Sequence, residues 1–166
     1  MRDLSPIEWA IRPLKKYAVF SGRAPRAEYW WYSVAYGIFG LALGFVDERV
    51  GSPIIGVYGP LSLILTLGLL VPGLTVFVRR LHDIGRSGWW VLLNLWNYVL
   101  IVASFGNANI EGLFKNVNPA ITLVLVLLML VCIVTMLVFA ITRGTEGLNA
   151  YGPDPYGPDQ LEEVFA

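Results

Sequence analysis

The sequence predicts an all-α membrane protein, a four-transmembrane-helix bundle preceded by an N-terminal interfacial amphipathic helix. Three observations carry that prediction. Of 166 residues, 56% are hydrophobic and 14% are charged, whereas a soluble domain carries about 25% charged residues. A chain this short would expose large apolar patches in water, a difficulty that a bilayer removes. Four apolar segments approach the roughly 20 residues that a helix needs to cross a hydrocarbon core. Basic residues, finally, cluster in alternate connections.

Residues 1–28 form the first region, a cytoplasmic amphipathic segment. Ser5, Pro6 and Glu8 offer an N-cap, a first-turn proline and a capping-box acid. Ile7, Ala10, Ile11, Leu14, Tyr17 and Ala18 recur at helical spacing, with Arg12, Lys15 and Lys16 on or beside the polar face. Two readings weigh equally: the helix meets anionic headgroups, or it packs on the loops of its own protein. The segment does not read as a signal peptide, because its first long apolar run starts far from a short charged beginning.

The transmembrane domain is expected over residues 29–141, with spans at about 29–46, 54–78, 89–105 and 120–141. Tyr29, Trp30, Trp31 and Tyr32 open the first span, and Trp89 and Trp90 open the third, as aromatic rings do at headgroup level. The second contains Gly56, Gly59, Pro60, Gly68, Pro72 and Gly73, which predicts a kink near Pro72 and close helix contacts at the small residues. The third is short and carries Asn94 and Asn97, whose amides should face other helices. The fourth has no charge, proline or glycine from Ala120 to Ile141 and is apolar on every face. Residues 142–166 make a cytoplasmic tail rich in glycine and proline.

Counting Lys and Arg orients the chain. The N-terminal segment, the loop after the second span and the tail hold ten of the 12 basic residues; Arg49 and Lys115 are the other two. Both termini and the loop Arg79 to Gly88 are therefore expected in the cytoplasm. Zero formal net charge, from 12 basic and 12 acidic residues, gives no overall field to recruit nucleic acid, so that partner is not expected.

Three polar clusters fall on that one face. In FSGRAPRAEYWW, Arg23, Arg26 and Glu28 stand at the start of the first span, near headgroup phosphates. In RRLHDIGRSGWW, Arg79, Arg80, His82, Asp83 and Arg86 share a short loop in which Gly85 and Gly88 permit tight turns. A histidine beside a carboxylate can act as base, ligand or pH switch, yet one histidine gives no metal-site spacing, and a structural or phosphate-facing loop is the preferred reading. In GTEGLNAYGPDPYGPD, Asn149, Tyr151 and Asp154 belong to a tail that cannot continue a helix and must turn or fold back. Its carboxylates could pair with the arginines and tie the face together, which is the preferred account of all three clusters. No metal site is expected: EF-hand spacing is absent, and Cys132, the single cysteine, reads as a packing residue.

These three motifs, in this order and at span boundaries, resemble the bacterial inner-membrane family typified by YhaH and YhaI, DUF family 805, whose function is unknown. The resemblance runs from about Phe20 to Pro155. It implies a multi-pass protein of the bacterial inner (plasma) membrane and carries no catalytic set and no cofactor. The residues themselves support a structural or regulatory protein whose Arg, His and carboxylate cluster contacts membrane lipids, anionic ones among them, a second copy or another membrane protein. A small oligomeric transporter or channel subunit is the alternative, motivated by Asn94, Asn97 and the interrupted second span. A lipid-acting enzyme using His82 and Asp83 ranks last, so the enzyme question leans to no.

Overall fold

The computed structural model describes residues 4–50, 59–93 and 118–157. Among them stand four α-helices, α1 Pro6–Lys15, α2 Arg26–Val50, α3 Pro60–Asp83 and α4 Pro119–Ile141, with a 3-10 turn at Gly88–Val91. The described residues form no strand, only an isolated bridge between Asn149 and Gly152. The chain divides into two compact units: Met1–Ala35, Val71–Trp90 and Phe139–Ala166 in the first, Tyr36–Leu70 and Val91–Val138 in the second.

Helix α1 begins where its sequence dictates. Ser5 Oγ accepts from the Glu8 amide at 3.3 Å, and Glu8 Oε2 accepts from the Ser5 amide at 2.7 Å, so two orphan donors are satisfied reciprocally. The Ser5 amide is the main cause holding the Glu8 carboxyl below its usual range. Trp9 and Pro13 turn inward, while Ile7, 70% exposed, Ile11 and Leu14 form an outward apolar stripe one helical face wide.

Helices α2, α3 and α4 are each long and apolar enough to cross a membrane; at 1.5 Å per residue they run about 34–38 Å. The first starts at Arg26, three residues ahead of the aromatic run, because Pro25 presets the entering backbone. The second continues through Arg79 and Arg80 to Asp83, since those charges find partners inside the protein. It is one unbroken helix across Pro72. A Cβ at Gly73 would sit 3.7 Å from the Tyr32 hydroxyl, an ordinary contact, whereas Gly68 faces open space. Most of the expected third span, with Asn94 and Asn97, lies outside the described residues, as do Ile54 to Tyr58 at the start of the second.

In the second unit one carboxylate closes a helix end. Asp47, 5% exposed, accepts from the Leu61 amide at 3.1 Å, the Ser62 amide at 2.8 Å and the Ser62 hydroxyl at 2.6 Å. It serves the start of α3 as an N-cap side chain would. Gly59 offers no side chain for that task, and a Cβ there would collide with Asp47 itself.

Burial is inverted relative to a soluble protein. Arg79, Arg80 and Glu28 are wholly buried, while Leu123 and Val131 on α4 are 60% and 61% exposed. Apolar side chains facing outward along helices of spanning length suit hydrocarbon surroundings.

Candidate functional site

All three polar motifs meet within the first unit. Arg23 is the hub. Its Nε donates to Asp83 Oδ1 at 3.0 Å, Nη1 donates to the carbonyls of Gly147 at 2.7 Å and Gly152 at 3.4 Å, and Nη2 reaches the Thr145 carbonyl. One guanidinium from the first motif thus grips the second motif and two turns of the tail, using the five-donor fork that lysine lacks.

Asp83 receives a second arginine, Arg80, whose other branch donates to the Thr142 carbonyl at the end of α4. The Asp83 carbonyl also accepts from the Thr145 amide at 2.8 Å. This crowding explains Gly144, where a Cβ would overlap the Asp83 carboxylate. The helix ends immediately afterwards in a Schellman motif: the Arg86 amide donates to Leu81 at 2.9 Å and the Gly85 amide to His82 at 3.0 Å. Gly85 adopts φ +71°, the left-handed conformation that motif needs.

A second ion cluster lies beside the first. Glu28, with no exposed surface, meets Arg79 Nη1 at 2.6 Å and Arg12 Nε at 3.3 Å. The Arg79 contact is close but not aligned as a hydrogen bond, so its attraction is mainly Coulombic. Removing either member would strand a buried charge, the costly case for internal ion pairs. Through Arg12 and Trp9, which lies 6.5 Å edge-on from Tyr156, α1 is docked on this cluster.

His82 turns away from the carboxylate that follows it in the sequence, toward the tail and the Gly22 carbonyl. Its ring stacks flat on Tyr151, centroids 4.0 Å apart and planes within 2°. Nδ1 lies 3.2 Å from the Gly22 carbonyl, which can only accept, so that nitrogen carries a proton. The His82 carbonyl accepts from Asn149 Nδ2 at 3.0 Å, and Asn149 Oδ1 accepts from the Tyr151 amide at 2.8 Å. Histidine, asparagine and tyrosine thereby pin the tail to the end of α3.

Other expected residues stay at the surface. Arg26 is exposed and donates to the Ile141 carbonyl at 3.3 Å; Arg86 is exposed, its guanidinium 5.9 Å from the Trp90 ring centre. Asp154 Oδ1 accepts from the Tyr156 amide at 2.8 Å and lines a cleft of about 720 Å³ with Arg26, Arg80 and Arg143. Arg12 was expected on the polar face of its helix and not as a partner of Glu28, and Thr145 and Gly144 were not singled out within the tail motif. Only the placement of Gly144 three residues past the apolar run that ends at Ile141 hinted at its role. Among the described residues no three His, Cys, Asp or Glu side chains converge as a metal would require.

Spanning helices with leucines outside and paired arginines inside define an integral membrane protein. The family described as "Protein of unknown function (DUF805)" matches residues 17–153, and the chain belongs to it. It is 32% identical over 151 residues to the Inner membrane protein YhaH of Escherichia coli K12, covering 90% of this chain and 97% of that one. Identity to the Inner membrane protein YhaI of the same strain is 31% over 150 residues, covering 90% and 96%. The Uncharacterized protein YiiR of that strain is 28% identical over 145 residues, covering 81% and 84%. No solved structure matches.

Proposed function

We propose that this inner-membrane protein is structural or regulatory, a multi-pass bundle with both termini in the cytoplasm. Its interlocked motifs hold a rigid polar face against lipid headgroups. The observation that carries the reading is Asp83, held at once by Arg23 of the first motif and Arg80 of its own, with its carbonyl bound to the tail. Such a knot fixes the position of exposed cations, Arg26 and Arg86, at the ends of spanning helices, where phosphates lie. Helix α1 adds an in-plane anchor: Trp9 and Pro13 dock on the protein while Ile7, Ile11 and Leu14 enter the headgroup boundary. His82, stacked and engaged with a carbonyl, serves as a structural clasp in this reading.

Single cysteines at Ser21, Ser87 and Leu148, placed in a Cys132→Ser background, test it with a membrane-impermeant maleimide. Labelling of all three only in inside-out vesicles is expected. Labelling of any one of them from the periplasmic side would defeat the shared cytoplasmic face.

A further inference from the structure

Within the first unit, the ends of three helices surround a cleft of about 720 Å³, a volume in the range that holds small ligands. Arg26 opens α2, Arg80 lies in the last turn of α3, and Arg143 follows the end of α4. The charge on its lining is unevenly distributed. Asp83 is shared between Arg23 and Arg80, so those three groups carry one surplus positive charge, and Arg26 adds another. Arg80 is wholly buried, its guanidinium held by Asp83 and the Thr142 carbonyl, so it adds positive charge behind the lining rather than a donor on it. Arg143 and Glu146 pair at 2.7 Å but are 77% and 76% exposed, so their mutual attraction is weak and either can turn to a ligand. Half-buried Asp154 makes no ion pair among the described residues and presents a negative charge on the same lining.

A purely anionic ligand would meet Asp154 and Glu146 at a Coulombic cost, and a purely cationic one would meet Arg26 and Arg80. The geometry points to a zwitterionic phosphodiester, with its phosphate on Arg26 and Arg143 and its ammonium on Asp154 and Glu146. Placement at the ends of spanning helices makes an ethanolamine-type lipid headgroup the source that fits, with a free phosphoester of the same chemistry as the other source. This inference rests on the headgroup reading above and sharpens it to one headgroup class.

The full chain, purified in detergent, is offered phosphatidylethanolamine, phosphatidylglycerol or diacylglycerol, and retained lipid is counted by native mass spectrometry. Phosphatidylethanolamine should be retained over phosphatidylglycerol by about fivefold, the upper range for a partly exposed ion pair. Asp154→Asn should abolish that preference, and Arg26→Gln should lower retention of both phospholipids, each with the thermal transition unchanged. Equal or reversed preference in the wild type, or a preference that survives Asp154→Asn, overturns the inference and leaves headgroup binding standing. Retention of neither phospholipid over diacylglycerol overturns both. Displacement by millimolar glycerophosphoethanolamine assigns the site to the soluble phosphoester; resistance to it assigns the site to the lipid.

Discussion

The polar knot of the first unit and helix α4 obey opposite rules of burial. In the knot, Arg79, Arg80 and Glu28 have no exposed surface and apolar Leu81 lies among them. Along α4, between Pro119 and Ile141, there is no charge, and most leucines and valines stand 43–61% exposed. Lipid accepts apolar surface without penalty but offers no partner to a charge. Every cation at a span end must therefore reach water, a headgroup or a carboxylate of its own chain. The knot holds through specific pairs, and the spans persist through general hydrophobicity.

That contrast breaks most readily at Asp83. Asp83→Asn leaves Arg23 and Arg80 buried without the counter-charge they share, and about 3–5 kcal/mol of stability should be lost. Thermal unfolding in mild detergent checks it, and a loss under 1 kcal/mol would mean that the pairs are incidental. A chemically identical change made in both regions sharpens the comparison. Leu81→Ala, wholly buried, should cost about 2–5 kcal/mol, and Leu130→Ala, 53% exposed on α4, should stay within about 0.5 kcal/mol. Equal costs would place α4 in a packed interior.

Asp47 is a buried carboxylate of the second unit and should behave as a helix cap rather than as a knot. Asp47→Ala should cost about 1–2 kcal/mol, with faster hydrogen exchange confined to the first turn of α3. The smallest effect is expected at α1. Glu8 has its carboxyl lowered by the Ser5 amide, so its contribution is complete above the unfolded carboxylate value and is lost as pH falls through the lower folded value. Acidification should loosen α1 to proteolysis while the global transition stays fixed, and Glu8→Gln should flatten that dependence.

Much of this was legible from residue types. Ser5 and Glu8 wrote the start of α1, and the unbroken run from Ala120 to Ile141 wrote α4 almost to the residue. The three motifs that come together stood out because arginine, aspartate and glycine are out of place at the end of an apolar span. The pairing scheme was not legible. Periodicity is local, whereas Arg23 with Asp83 and Arg12 with Glu28 join residues far apart in the chain. Nor did adjacency in sequence reveal that His82 turns to Gly22 and Tyr151 while Asp83 turns to the arginines. Neighbouring residues at the end of a helix project about 100° apart, so the pair that looked like a catalytic couple faces two different partners.

The central claim is that the buried contact of Arg23 with Asp83 couples the first motif to the second. A double-mutant cycle of Arg23→Gln and Asp83→Asn, read by thermal unfolding of the full chain in detergent, tests it most directly. A coupling of about 1–3 kcal/mol, with the double variant less damaged than the sum of the singles, is the predicted result. Additivity within about 0.5 kcal/mol would contradict it, because residues that share no contact behave that way.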